Sequence, residues 1–357
     1  MITPRFLIVG FDGLRPDCIE TDMPNLHKFI QQSHHWENYC ALFPTETYVN
    51  HPVIFSGDLP CNHGIIANCY YDQSLSQGNR IFTGWSVASI LEHEQQPGGA
   101  ICVPSLGDRL AQFGKTLRVL CANSPGSTRL QHIHADRYIG HLNCCVHNID
   151  ATVPLCEREE LQTRWGNGVR LEFPDTKGND LLCEIFFNYE VPRGLGDVTV
   201  LWFGEPDHSS HTFGIRHLQT RLARQSADQS FEKILSWWEK EGRSQGIQLI
   251  TISDHGHSEV TEHFNLVPTL NQAGFSVLTG EDIRNGADPQ QADIIAVGSY
   301  TIGLWLKPHI QNKRLTIRDL LMNTPEVGMI FSQPKNPENL AIEGQIPGTF
   351  SESLLLS

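Results

Sequence analysis

No apolar run in the 357-residue sequence approaches the roughly 20 residues that a membrane-spanning helix needs, so a helical membrane span is not expected. The ten cysteines include no C-x-x-C pair and none follows Cys183, which argues against a thiolate zinc cluster. Bases are scarce, 26 Lys and Arg against 40 Asp and Glu, and the formal net charge of −14 disfavours binding to a nucleic acid duplex. Internal repeats and low-complexity tracts are also missing. The even cysteine count permits disulfides, yet the adjacent Cys144 and Cys145, with no secretory leader recognised in this sequence, fit a reducing compartment slightly better, and a cytoplasmic location is the expectation. The apolar fraction of 39% and charged fraction of 18% are those of an ordinary globular chain, read here as one main domain over 1–357.

Against these absences stands one recurrent pattern. Three short apolar runs each lead into an aspartate: Phe6 to Phe11 before Asp12, Val198 to Phe203 just before Asp207, and Ile247 to Ile252 before Asp254. Such runs read as buried strands of a parallel sheet, and ligands of open α/β sheets bind at the carboxyl ends of the strands. Two of the aspartates have histidines close by, as Asp207-x-x-x-His211 and Asp254-His255. Taken singly, each has a plain alternative: Asp207 an N-cap with His211 on the surface, Asp12-Gly13 and Asp254-His255-Gly256 tight turns. Taken together, three acids and two imidazoles at one sheet edge would repel and desolvate one another unless a cation were bound.

The remaining pattern supplies the frame. Residues 24–32 and 103–114 read as helices and Thr116 to Cys121 as a strand, a βαβ rhythm. Residues 217–241 form a helix with Leu218, Leu222, Phe231, Ile234, Leu235 and Trp238 on a core-facing stripe. Residues 266–275 suggest a helix and turn, and 294–306 suggest strands. The stretch 124–196 has no clear period and reads as an irregular insertion. Between Phe43 and Gly57 a loop ends near Thr47 and a short helix begins, so Thr47 stands where backbone N–H groups meet an anion. Its hydroxyl is either a plain N-cap or, beside a divalent cation, a nucleophile. Asn68 is either a turn residue or an amide donor to a phosphoryl oxygen.

The combination of Phe11-Asp-Gly-Leu-Arg-Pro16, Phe43-Pro-Thr-Glu-Thr-Tyr-Val-Asn-His51, Ser56-Gly57, His63-Gly-Ile-Ile-Ala-Asn68, Glu205-Pro206-Asp207 and Ser253-Asp-His-Gly256 resembles the nucleotide pyrophosphatase/phosphodiesterase (type I phosphodiesterase) family of the alkaline phosphatase superfamily. That resemblance implies an alkaline-phosphatase-like α/β fold with a central, mostly parallel sheet flanked by helices. It implies two zinc ions, one held by Asp12, Asp254, His255 and the Thr47 oxygen, the other by Asp207 and His211. Thr47 would be the nucleophile of a phosphodiester or phosphoanhydride hydrolase acting on a small, nucleotide-like phosphate ester through a phosphothreonine, with Asn68 binding the substrate.

Three departures qualify the match. Glu46 replaces a frequent lysine, and Tyr48-Val49 replaces a usual Phe-Pro. The family completes its second zinc with a histidine in a downstream Gly-rich segment that this sequence lacks, so a C-terminally incomplete chain and a second site without a third protein ligand are expected. His263 is the long-shot substitute. The rival expectations are a phosphonate hydrolase or phosphomonoesterase of the same superfamily and a non-catalytic relic with one metal site. The sequence leaves the oligomeric state open.

Overall fold

Six short runs pair into one sheet, as seen in a computed structural model of the chain that describes residues 4–73, 75, 80–298, 300–332, 342–345 and 354–356. The strands are β1 (Arg5–Phe11), β2 (Leu117–Ala122), β3 (Leu142–Cys145), β4 (Asn148–Val153), β5 (Val198–Phe203) and β6 (Ile247–Ile252). Their spatial order is β4-β3-β2-β5-β1-β6. All neighbours are parallel except β3 and β4, which are antiparallel and carry an irregularity between Asn143 and Cys145. Every residue of β2 and β5 is buried, as expected for strands covered on both faces.

Alternation along these strands sends side chains to two separate cores. Leu120, Ala122, Leu201 and Phe203 join Leu7, Val9, Phe11 and Phe231 on one face, whereas Val119, Cys121, Val200 and Trp202 join Phe55 on the other. Phe55 belongs to α1 (Thr47–Ser56) and Phe231 to the long α4 (Leu218–Trp237), so a helix covers each face. Two further helices matter for the site, α2 (Pro125–Gln131) and α3 (Asp207–Phe213).

The chain divides into two compact units, residues 1–75 with 82–260 and residues 76–81 with 261–357, where the sequence suggested a single domain over 1–357. The second unit holds a helix over Leu266–Gln272 and the antiparallel strands Ile294–Gly298 and Ile302–Leu306, in line with the periodicity. Its core is formed by Leu266, Leu270, Ile294, Ile310, Ile317 and Leu321.

Two sequence readings are corrected. The stretch 124–196 is regular: it contributes β3 and β4 to the central sheet, along with α2 and helices over Leu155–Trp165 and Thr176–Ile185. Its strands are short and polar at several positions, which hid the period. Leu218 and Leu222 do not face the core; they are 63% and 43% exposed. The inward face of α4 instead begins with Thr220, Ala223, Arg224, Ala227 and Asp228. There Arg224 pairs with buried Asp22 at 2.8 Å, and Asp228 accepts from the backbone N–H groups of Asn25 and Leu26 at the start of the helix Pro24–Gln31. Polar partners, rather than leucines, hold that end of α4.

Candidate active site

The sheet register brings the two strand-end aspartates together. In the parallel pair β1 and β6, Gly10 lies opposite Ile252, and continuing that register sets Asp12 beside Asp254. Asp207 opens α3 four residues beyond the end of β5, and its backbone N–H donates to the Asp12 carbonyl at 3.1 Å. Thr47 is the first residue of α1, with Glu46 in the N-cap position and no side-chain cap. The N-cap alternative for Thr47 therefore does not hold, and its hydroxyl is directed elsewhere. Thr47 Oγ1 lies 2.8 Å from His255 Nε2 and donates to Asp12 Oδ1 at 3.3 Å.

Around this hydroxyl the acids and imidazoles fall into overlapping groups. Asp12, His51 and Asp254 each offer a ligand atom within 4.8 Å of the others, as do Asp12, Asp207 and His255, and as do Asp207, His211 and His257. His51 Nε2 is 3.5 Å from Asp254 Oδ2 and 3.7 Å from Asp12 Oδ2. His255 Nε2 is 3.5 Å from Asp254 Oδ2 and 3.6 Å from Asp12 Oδ1. The His255 Nδ1–H donates to the Gly256 carbonyl at 3.0 Å, which turns Nε2 toward the carboxylates.

Asp12 is held by groups that no aspartate pattern announced. Asn123, at the tip of β2, donates its amide to Asp12 Oδ2, and the Trp202 indole donates to the same oxygen at 3.0 Å. Gly10 makes the second contact possible, since a Cβ there would stand 2.0 Å from the Trp202 ring. Asn68 accepts from the Tyr48 N–H at 3.1 Å, while its own N–H donates to Glu46 Oε2 at 2.6 Å. Glu46 thus fastens the Asn68 loop to the start of α1.

The electrostatics are those of a pocket with surplus negative charge. Burial, then Asp254 and Asp207, push the Asp12 carboxyl well above its usual range. Burial would lower His255, but Asp254, Asp12 and Asp207 outweigh it and lift the imidazole to about 9. Burial would also raise Asp207, and hydrogen bonds from His211 and His257 reverse this. His51 Nε2 and Asp254 Oδ2 are buried without a hydrogen-bond partner among the described residues. Orphaned polar atoms facing each other at 3.5 Å, inside a carboxylate-rich pocket, fit a bound divalent cation.

The sequence-derived residues Asp12, Thr47, Asp207, His211, Asp254 and His255 therefore all converge. Beside Asp207 and His211, where the sequence offered no identifiable third protein ligand, the structure places His257, with Nε2 2.7 Å from Asp207 Oδ1. His263 is exposed and belongs to none of the ligand groups. His51, Asn123 and His257 were overlooked, although His51 is one helical turn beyond Thr47 and His257 is two residues beyond His255.

A family model described as type I phosphodiesterase/nucleotide pyrophosphatase matches residues 6–313. The chain belongs to this family. Among its curated members, a Bis(5'-adenosyl)-triphosphatase of Mus musculus is 41% identical over 70 residues, 19% of this chain and 15% of that protein. A venom phosphodiesterase of Crotalus durissus collilineatus is 24% identical over 264 residues, 71% of this chain and 26% of that protein. The matched part thus spans about a quarter or less of these relatives' length. The fold of this type I phosphodiesterase family member is also that of an inactive murine ectonucleotide pyrophosphatase/phosphodiesterase 5 solved with AMP, at a TM-score of 0.58 and 16% identity, covering 92% of this chain and 72% of that one. A phosphonoacetate hydrolase from Sinorhizobium meliloti solved with phosphonoformate gives 0.56 at 13% identity, covering 88% and 73%. The alkaline-phosphatase-like α/β architecture is therefore the one expected from sequence.

Proposed function

We propose that the chain hydrolyses phosphodiester or phosphoanhydride bonds of small nucleotide-like esters, with Thr47 as nucleophile. The observation that carries this reading is the place of the Thr47 hydroxyl, at a helix N-terminus and between Asp12 and His255. Asp12, Asp254 and His255 would hold one zinc with the Thr47 oxygen, and Asp207 and His211 would hold the other. Bound zinc supplies Lewis-acid stabilisation of a phosphoryl anion and lowers the pKa of a nearby hydroxyl.

The protein groups have distinct tasks. Thr47 Oγ attacks phosphorus and its bond to the leaving oxygen breaks, giving a phosphothreonine that water then cleaves. The first turn of α1 offers N–H groups and the positive end of the helix dipole to the phosphoryl oxygens. The Asn68 carbonyl is taken by the Tyr48 N–H, which leaves the amide N–H₂ for a phosphoryl oxygen. Asn123 and Trp202 keep Asp12 oriented.

The presence of both an Asp12-centred and an Asp207-centred group supports an enzyme over a relic with one metal site. Rates on a nitrophenyl phosphodiester, the matching monoester and phosphonoacetate test the substrate class. Preference for the diester is expected; a larger rate on the monoester or the phosphonate would replace this reading with the corresponding superfamily activity.

A further inference from the structure

We infer that His257 is the third protein ligand of the metal held by Asp207 and His211. The inference deepens the two-metal reading above and rests on it. His257 Nε2 is 2.7 Å from Asp207 Oδ1, closer than His211 Nε2, which is 3.3 Å from the same oxygen. One atom from each of the three residues lies within 4.8 Å of the other two, a spacing that one ion can span.

The surroundings of His257 hold its ring at this spot. Gly13 has φ 66°, and a Cβ at that position would come within 2.7 Å of His257 Nε2. Glycine there leaves room for the imidazole and accepts the left-handed backbone. Arg15 donates from Nη1 to the His257 carbonyl at 2.6 Å, and its Nε and Nη2 are held by Asp17 at 2.9 Å each. The His257 ring packs edge-on against His211, with centroids 4.8 Å apart, and against His255 at 5.6 Å.

The donor set matches the chemistry. One carboxylate and two imidazoles give the three protein ligands common to catalytic zinc sites, with a fourth position open to a substrate oxygen or water. His211 is 45% exposed on its side chain, so this group is reachable from solvent. Asp254-His255-Gly256-His257 then serves both metals from one short segment, His255 toward Asp12 and His257 toward Asp207.

A purely hydrogen-bonding His257, donating to Asp207 without touching metal, is the alternative that an experiment must separate. The full chain is stripped with a chelator and titrated with zinc by calorimetry as wild type, His257→Gln, His257→Ala and His211→Ala. Cobalt-substituted samples are followed by visible absorption, and thermal melting verifies that each variant folds. Wild type is expected to take two zincs, and each His257 variant to keep one while the other weakens by about 100-fold or more. The cobalt band of the weakened site should be lost, and added imidazole should restore it in His257→Ala. If both His257 variants keep two sites of wild-type affinity while His211→Ala loses one, His257 is not a ligand and the metal reading stands. If wild type takes fewer than two zincs, or His211→Ala keeps both unchanged, the two-metal reading itself fails.

Discussion

The two halves of the site differ in access to water. Asp12, His51 and Asp254 have fully buried side chains, whereas in the other half His211 is 45% exposed and only Asp207 and His257 are largely covered. A closed group cannot be neutralised by solvent, so its charge weighs on folding and must be offset by a cation or a proton. An open group bears little on folding and is free to meet substrate. Thr47, reaching Asp12 and His255, stands on the closed side.

The largest effect should come from Thr47→Ala. Turnover of a phosphodiester is expected to fall on the order of 10⁴-fold, while the zinc content measured by mass spectrometry stays largely intact, since Asp12, Asp254 and His255 remain to hold the ion that the Thr47 oxygen would share. A variant with undiminished turnover would remove Thr47 from the chemistry.

Asp12→Asn should separate stability from function. Activity and closed-half zinc affinity are expected to drop about 100-fold or more, yet the chelator-treated variant should melt at a higher temperature than chelator-treated wild type. An amide mimics the neutral carboxyl that burial, Asp254 and Asp207 favour at position 12. A lower melting temperature in the metal-free state would contradict the picture of surplus charge.

The same contrast has a pH signature in the metal-free protein. His255 is lifted from 6.5 to about 9, because Asp254, Asp12 and Asp207 outweigh the burial that would lower it. The folded chain then retains a proton that the unfolded chain releases. Stability from this source is full below about pH 6.5 and is lost as pH rises through about 9, roughly 3 kcal/mol in all. Denaturant melts at pH 6, 7.5 and 9 measure it, and a flat profile would count against it. The smallest effect is expected for His211→Ala without metal: its exposure predicts a stability change within about 0.5 kcal/mol. A change of several kcal/mol would abolish the distinction between the halves.

Much of this was legible in the sequence because strand-end aspartates and a helix-start threonine are local features. Asp12, Asp207 and Asp254 follow apolar runs whose period is visible in single windows, and Gly57 marks the end of α1. Asn123 was not legible, since an asparagine after a strand reads as a turn and only the registers of β2 with β5 and of β5 with β1 bring it beside Asp12. For His257 the sequence offered only its place two residues beyond His255; the room for its ring depends on Gly13, 244 positions earlier in the chain. The elements in 124–196 were missed because β3 is only four residues long and β4 alternates incompletely. Such strands take their stability from neighbours, which no local period reveals.

The position of β6 gives the metal pocket a further meaning. Among the described residues this strand lies at the end of the six-stranded order and pairs only with β1, and most of its residues are incompletely buried. An edge strand of this kind is a template for unwanted pairing with another chain. Asp254 and His255 follow it after Ser253, so a cation that binds them to Asp12 also clasps β6 to β1. Chelation should therefore promote aggregation as well as inactivation, with light scattering rising before the bulk of the fold is lost.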